Sequence, residues 1–145
     1  MDNLALNAPI LFGSGGNYLK YVVRGWSDAD SRARTWTDGY VAELDFKNGL
    51  LKRDPVLRVE AAPFLAEPEL RMQEMSIYLN GFWVDFARAT NDISVEVRVS
   101  RGYFNTQRNV LSFVMPRATC PYDEGWNEDR RMLGFAFQRV ELIDA

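Results

Sequence analysis

The feature that most constrains the fold of this chain is a strict two-residue alternation of apolar and polar side chains. It runs through residues 40–47 and again through residues 93–100. Successive side chains of a β-strand point to opposite faces, so this period is typical of strands with one buried and one solvated face. The apolar positions predicted to face inward are Tyr40, Ala42, Leu44, Phe46, Ile93, Val95, Val97 and Val99.

A tight hairpin is predicted at Asn80-Gly81, which separates two further alternating runs. A type I′ turn requires a positive φ at both central positions, and Asn-Gly adopts this turn readily. The apolar sets predicted to face the core are Met75, Ile77 and Leu79 before the turn and Phe82, Val84 and Phe86 after it. Trp83 is then predicted to lie on the outer face, opposite Tyr78 or Ser76.

The other elements follow from apolar runs that lie between clusters of turn-forming residues. Further strands are predicted at about residues 4–12, 18–25, 56–64, 109–115 and 133–143, and a short helical turn at residues 67–74. Many short strands with frequent turn signals are typical of a β-sandwich or barrel. We therefore predict an all-β fold in a single domain spanning residues 1–145. Its architecture would be an antiparallel two-sheet β-sandwich of the jelly-roll kind, with about eight to ten strands.

Composition removes several classes of function. A net charge of −3 provides no basic face for phosphates, so nucleic-acid binding is not expected. No apolar run approaches the ~20 residues that a membrane span needs. The chain has no histidine and a single cysteine, Cys120, which excludes histidine-dependent nucleophile pairs and an intrachain disulfide. The N-terminus begins Met1-Asp2-Asn3, with an acid where a secretory leader has a base, so a cytoplasmic location is expected for a complete chain.

Tryptophans set among charged residues suggest the ligand class. A sugar ring presents an apolar C–H face and a rim of hydroxyls, so aromatic faces and carboxylate or guanidinium groups recognise it together. The predicted ligand-binding residues are Trp26, Asp28, Asp30, Arg34, Trp36, Asp38, Trp126 and Trp83. The alternative for Trp26 and Trp36 is that they close the end of the sandwich, with Asp30 or Asp38 holding a turn.

Acidic residues leave two further hypotheses open. Asp28, Asp30 and Asp38 are close enough in sequence to share a structural calcium ion, which takes 6–8 oxygen ligands. A glycosidase or lyase would need a carboxylate pair at a defined separation. The acids considered for such a pair are Asp30, Asp38, Glu124 and Asp129, and no motif selects two of them. Arg130 and Arg131 are expected to form ion pairs with the neighbouring acids.

Several segments, in order along nearly the whole chain, resemble a bacterial β-sandwich domain. They are Ile10-Leu11-Phe12-Gly13, Gly15-Gly16-Asn17, Gly25-Trp26-Ser27 with Asp30, Trp36-Thr37-Asp38-Gly39, Ile77-Tyr78-Leu79-Asn80-Gly81, Pro116-Arg117-Ala118 and Glu128-Asp129-Arg130-Arg131-Met132-Leu133-Gly134-Phe135. The domain that they resemble is an accessory module found beside glycosyltransferases and related cell-surface polysaccharide proteins. The resemblance implies a sandwich fold and a polysaccharide context, and it implies no reaction and no catalytic residue.

The function predicted from the sequence is therefore non-catalytic recognition of a saccharide, by a carbohydrate-binding-like module. Two alternatives stay open. One is a docking module for a polysaccharide-processing protein, which would use the outer face around Tyr78 and Trp83. The other is a carboxylate-dependent glycosidase or lyase. No cofactor other than the possible calcium ion is expected, and the sequence leaves the oligomeric state open.

Overall fold

The regular elements of the computed structural model, which describes all 145 residues, are β-strands and two 3-10 helices. The ten strands are β1 (Ile10–Leu11), β2 (Val22–Arg24), β3 (Thr35–Trp36), β4 (Val41–Phe46), β5 (Val56–Pro63), β6 (Gln73–Leu79), β7 (Phe82–Ala89), β8 (Ile93–Arg98), β9 (Asn109–Val114) and β10 (Phe135–Ile143). Two short 3-10 helices cover Tyr18–Lys20 and Arg101–Tyr103. Neither is long and apolar enough to cross a membrane.

The strands form two sheets in which every pair of neighbours is antiparallel. The first sheet has the order β1-β10-β5-β8, and β3 also pairs with β10. The second sheet has the order β2-β4-β9-β6-β7. The predicted all-β class and antiparallel two-sheet sandwich of the jelly-roll kind are thus confirmed.

The core lies between the inward faces of the two sheets. It contains 24 buried hydrophobic residues, and five phenylalanines are among its largest members. They are Phe12, Phe46, Phe113, Phe135 and Phe137. Burial of one such side chain contributes roughly 1.5–3 kcal/mol relative to exposure. The predicted inward stripe of β4 is confirmed for Ala42, Leu44 and Phe46. Tyr40 is 52% exposed instead, because it precedes the first residue of β4.

The hairpin at Asn80-Gly81 is confirmed, with φ values of 51° and 84°. Trp83 pairs with Tyr78, as expected. The prediction that Phe82 and Phe86 face the core is wrong: they are 49% and 43% exposed. The register shifts between Ile77 and Tyr78, so that Tyr78 pairs with Trp83 while Ile77 pairs with Asp85.

This shift leaves Val84 without a partner as a β-bulge, and one extra residue reverses the face on which later side chains lie. Phe86 consequently pairs with Ser76 on the outer face, beside Trp83. Phe82 stays opposite the buried Leu79 but lies at the end of the edge strand, where its ring stacks on Tyr103 with centroids 4.4 Å apart. Val84 itself is half-buried against the core.

The helical turn predicted at residues 67–74 is also wrong. The chain there makes a closed turn in which Ala66 and Leu70 exchange two backbone hydrogen bonds of 2.8 and 2.7 Å. Leu70 is buried in this arrangement, and Pro68 has no N–H to contribute to a helical turn. Strand β6 then begins at Gln73.

The register of the strands defines two ends of the sandwich. Val41 pairs with Val114 at one end, and Phe46 pairs with Asn109 at the other. The first, here called the tryptophan end, carries the loops at residues 25–40, 64–72 and 115–134. The second, here called the hairpin end, carries the Asn80-Gly81 turn and the loops at residues 47–55 and 99–108.

Gly25 and Gly81 form a matched pair for testing how the tryptophan end is built. Both have positive φ, 83° and 84°, but a Cβ on Gly25 would overlap the carbonyl oxygen of Val41, whereas a Cβ on Gly81 meets nothing within 4 Å. Both alanine variants carry the cost of a left-handed residue, ~1 kcal/mol. We expect Gly25→Ala to lower the free energy of unfolding by at least ~2 kcal/mol more than Gly81→Ala, in urea denaturation. Equal losses would contradict the close approach of Gly25 to β4.

Candidate functional site

Trp26 lies in the packed end of the core. Its ring centroid is 4.9 Å from that of Phe137 and 5.1 Å from that of Phe12. Its indole N–H donates a 2.9 Å hydrogen bond to the backbone oxygen of Glu43. The Trp26 ring thus packs against other aromatic rings, and its N–H is already bonded within the protein. Trp26 therefore closes the end of the sandwich and does not form an open binding platform.

Trp36 and Trp126 belong to an aromatic row at the tryptophan end. The side chains of Thr35 and Thr37 are buried in the core, so Trp36 between them points to the outer face of the first sheet. Its ring meets Phe64 edge-on, with centroids 6.0 Å apart, and Phe64 lies 6.4 Å from Trp126. Trp36, Phe64 and Trp126 are all half-buried. The row therefore offers ring edges and partial faces to solvent.

Trp83 is the most exposed tryptophan, at 55%. It lies on the outer face of the second sheet with Tyr78 opposite and Phe86 further along β7, and these three residues are called the Trp83 face below. The guanidinium of Arg88 lies 5.9 Å from the ring centroid of Phe86 and is paired with Glu74 at 3.3 Å. The paired strands β6 and β7 thus carry both exposed aromatic rings and charged side chains.

The indole N–H groups separate the four tryptophans by role. Trp26 donates to Glu43, whereas Trp36, Trp126 and Trp83 donate to no protein acceptor. Trp83 is the most exposed of these three residues, at 55%. An indole N–H at the edge of an exposed ring is a donor available to a ligand hydroxyl.

Arg131 joins the two loops of the tryptophan end. It holds Asp129 through two nitrogens, at 3.0 and 2.8 Å, and it donates to Asp30 at 3.1 Å and to the Ser27 hydroxyl at 3.2 Å. The hydrogen bonds from Arg131 hold the pKa of the Asp129 carboxyl below its usual value despite partial burial. Asp129 in turn raises the pKa of the guanidinium. The expected ion pairing is confirmed for Arg131, while Arg130 stacks over the Tyr122 ring at 3.8 Å.

The other predicted polar residues serve separate contacts. Asp38 accepts a 2.9 Å hydrogen bond from the backbone N–H of Met132, and it thus holds a turn. Arg34 lies 3.4 Å from Asp92 at the turn between β7 and β8. Asp28 is exposed, and its carboxylate makes no hydrogen bond within the chain. The structure therefore does not gather the predicted site residues into one cluster.

The three acids considered for calcium do not form a ligand set. No group of three or more Asp, Glu, His or Cys side chains is positioned to hold a metal ion. Asp30 is engaged by Arg131 and Asp38 by a backbone N–H, so neither carboxylate is free to converge with Asp28. These residues do not fit a shared calcium ion, and calcium binding as such stays a prediction.

The acids considered for a carboxylate pair are bound by Arg131 or exposed. Asp30 and Asp129 share the guanidinium of Arg131, and Glu124 is exposed on the long loop. A general acid for glycoside cleavage needs a raised pKa, whereas the pKa of Asp129 is lowered. Asp129 is thus suited to an ion pair rather than to proton donation.

Two aromatic residues of these surfaces, Phe64 and Phe86, were not among the predicted site residues. Phe64 continues the alternation of β5, in which Leu57, Val59 and Ala61 are buried, and this phase was a usable signal that Phe64 faces outward. Phe86 was assigned to the core because a β-bulge leaves no mark in the hydrophobic pattern.

Comparison with solved structures identifies the fold. The chain is similar over 100% of its length to a family 6 carbohydrate-binding module whose binding sub-sites were dissected by crystallography and calorimetry. The TM-score is 0.53 and the identity 6%, over 99% of that module. It is also similar, with a TM-score of 0.50 and 14% identity over 96% of the chain, to part of the cycloalternan-forming enzyme of Listeria monocytogenes.

That enzyme was solved with a pentasaccharide substrate, and the match covers 12% of its chain. No protein-family model and no curated protein matches the sequence. At these identities the likeness is one of fold. The chain has the β-sandwich fold found in carbohydrate-binding modules.

The packing of Trp26 predicts a large difference between two tryptophan substitutions. Trp26→Ala removes contacts with three phenylalanine rings and the indole hydrogen bond to the Glu43 backbone oxygen, so we expect it to lower the free energy of unfolding by ~3–5 kcal/mol. Trp83→Ala removes an exposed ring and should cost less than about 1 kcal/mol. Urea denaturation of both variants measures the difference. Similar losses would show that Trp26 is not part of the core.

The pair of Asp129 and Arg131 predicts an acid-dependent contribution to stability. Since the pKa of Asp129 is lower in the folded chain, its contribution is complete above the unfolded value of about 3.9 and is lost as the pH falls through the folded value. We expect the free energy of unfolding of wild type to exceed that of Asp129→Asn by ~1–2 kcal/mol at pH 7. This gap should shrink below about pH 4, as measured by thermal or urea unfolding. A gap that is constant between pH 7 and pH 2 would contradict the assignment.

Proposed function

We propose that this chain is a non-catalytic carbohydrate-binding module and that the Trp83 face is its sugar platform. One observation carries the proposal: Trp83 exposes more than half of its surface, with a free indole N–H, on a hydrogen-bonded strand beside Tyr78. Folded proteins rarely leave contiguous aromatic surface open to water unless it binds something.

The composition of the Trp83 face suits a sugar ring. The flat indole can cover the apolar C–H face of the ring, and the free N–H can donate to a ring hydroxyl. Arg88, Glu74 and Ser76 provide charged and polar groups on the same two strands. Because β6 and β7 are fixed by seven register pairs, little conformational entropy is lost when a ligand is bound.

Fold and sequence support the same class of ligand. The sandwich is that of carbohydrate-binding modules, and the sequence resembles an accessory domain of bacterial polysaccharide proteins. A saccharide is therefore the proposed partner, in a bacterial polysaccharide context that includes association with glycosyltransferases. The cytoplasmic location expected from the N-terminal sequence stays a prediction.

A docking role is the second candidate, and one observation favours it. Trp83 and Phe86 on the edge strand β7 form an aromatic patch with Tyr78 on the neighbouring β6, and aromatic residues are enriched at the centres of protein interfaces. The partner would be a polysaccharide-processing protein. The glycosidase or lyase alternative has no comparable support, because its carboxylates are held by Arg131 or exposed.

The test is a glycan array followed by titration of hits with intrinsic tryptophan fluorescence and calorimetry. We expect a saturable hit whose affinity falls at least about tenfold in Trp83→Ala, since central aromatic anchors carry most of a binding energy. Trp36→Ala is the matched control at the tryptophan end and should bind as wild type does. Each titration is repeated with calcium and with a chelator, which tests the calcium prediction directly.

Two results would contradict the proposal. A hit that is lost in Trp36→Ala and kept in Trp83→Ala would move the platform to the aromatic row at the tryptophan end. Absence of any hit with folded wild-type protein would remove direct saccharide recognition and leave the docking role.

A further inference from the structure

Three asparagine side chains form a chain of hydrogen bonds at the hairpin end. Asn80 Nδ2 donates to Asn109 Oδ1 at 3.0 Å, and Asn109 Nδ2 donates to Asn48 Oδ1 at 3.2 Å. This chain connects the Asn80-Gly81 turn to the two long loops at residues 47–55 and 99–108. Asn109 is fully buried, and the others are half-buried.

Backbone donors fix the direction of the amide chain. The N–H of Val110 donates to Asn80 Oδ1 at 2.8 Å, and the N–H of Asn105 donates to Asn109 Oδ1 at 2.7 Å. Since a backbone N–H can only donate, both amides are oriented unambiguously. Asn109 must then present Nδ2 to Asn48, and Asn48 must accept with Oδ1.

The amide chain therefore ends in a donor. Asn48 Nδ2 is buried and finds no acceptor among the protein atoms. A buried donor without an acceptor is costly, so proteins satisfy nearly all such groups. The fixed direction of the network means that rotation of the Asn48 amide cannot relieve this atom.

Asn48 lines an open groove between the two long loops, here called the Asn48 groove. The groove has a volume of ≈ 520 Å³, which lies within the ~300–1,000 Å³ typical of ligand pockets. Its lining residues are Asn48, Gly49, Leu50, Leu51, Lys52, Arg101, Gly102, Phe104, Asn105 and Thr106. Leu50, Leu51 and Phe104 give it an apolar part.

The charged residues that line the Asn48 groove are all positive. Lys52 and Arg101 line it from the two loops, and no carboxylate is among its lining residues. Neither side chain forms an ion pair, whereas the neighbouring Arg53 is paired with Asp144 at 2.8 Å. The guanidinium of Arg101 donates to the backbone oxygen of Lys52, which joins the two loops beside the groove.

We propose that the Asn48 groove binds a sugar residue that carries an oxyanion, either a uronate carboxylate or a phosphate ester. The oxyanion would be held by Lys52 and Arg101, which line the groove from its two loops. The apolar lining would cover the C–H face of the ring. A small inorganic anion would leave the apolar lining of Leu50, Leu51 and Phe104 unused, which is why a sugar fits the groove better.

This second site is separate from the Trp83 face, and it does not require that the Trp83 face bind a ligand. The lining residues come from the loops after β4 and β8, whereas the Trp83 face lies on β6 and β7. Asn80 connects the two through its 2.8 Å hydrogen bond to the backbone oxygen of Tyr103.

The test is an NMR titration of the full chain at low salt with glucuronate, glucose 6-phosphate, glucose and inorganic phosphate. We expect saturable shifts of the Asn48 side-chain amide with glucuronate, glucose 6-phosphate or both. Glucose and inorganic phosphate should bind about tenfold more weakly or worse. Comparison of the two anionic sugars shows which oxyanion the groove takes.

Two variants and two controls complete the design. Asn48→Asp keeps the acceptor for Asn109 and adds a negative charge to the groove, so we expect the affinity for an anionic sugar to fall at least about tenfold. Lys52 is exposed, so Lys52→Met should fold as wild type does. We expect its affinity for the anionic sugar to fall about tenfold. Lys20→Met removes a cation elsewhere and should bind the anionic sugars as wild type does. Trp83→Ala tells the two sites apart, because only binding at the Trp83 face depends on that ring.

Several results would overturn the proposal. These are equal affinity for glucose and glucuronate, equal affinity for inorganic phosphate, or equal weakening by Lys52→Met and Lys20→Met. Absence of shifts at Asn48 with either anionic sugar at millimolar concentration would also overturn it. Loss of anionic-sugar binding in Trp83→Ala would assign that binding to the Trp83 face instead.

Discussion

The indole of Trp26 lies between the two sheets, edge-on to Phe137 and bonded through its N–H to the backbone of Glu43. The carboxylate of Glu43 lies on the outer face of the sheet, where it accepts one hydrogen bond from Arg24 and one from Ser112, both of 2.7 Å. These hydrogen bonds lower the pKa of the Glu43 carboxyl. One residue of β4 thus fixes the neighbouring strands β2 and β9 and the tryptophan that covers the core.

The position of Trp26 decides what the rest of its loop can do. Ser27 pairs with the backbone oxygen of Trp36, and Thr37 Oγ1 accepts from the backbone N–H groups of Gly134 and Phe135 at 3.2 and 3.1 Å. With Thr37 held inward, Trp36 must face outward. A segment that looks in sequence like one aromatic and acidic site is therefore divided between the core, where Trp26 packs, and the outer face of the first sheet, where Trp36 lies.

The fold could be predicted largely from its alternating strands, and the site could not. Period-two runs determined the strands and the sandwich, because one-sided burial leaves that pattern in the sequence. The bulge at Val84 leaves no such pattern, so the orientation of Phe86 was predicted wrongly. The role of Trp26 depended on three phenylalanine rings from distant segments, which no local spacing reveals. Acids near in sequence, such as Asp30 and Asp38, were likewise bound by different partners in the folded chain.

The hairpin end joins the two proposed binding surfaces through one side chain. Asn80 adopts a positive φ to make the turn that carries Trp83, and its amide donates to both Tyr103 and Asn109. Phe82, next to Trp83, stacks on Tyr103, whose loop lines the Asn48 groove. The groove and the platform are thus built on the same turn, loop and amide chain. Since all three are fixed by buried or backbone hydrogen bonds, this end can present two chemically different surfaces in a constant relative position, as recognition of a chain of sugars requires.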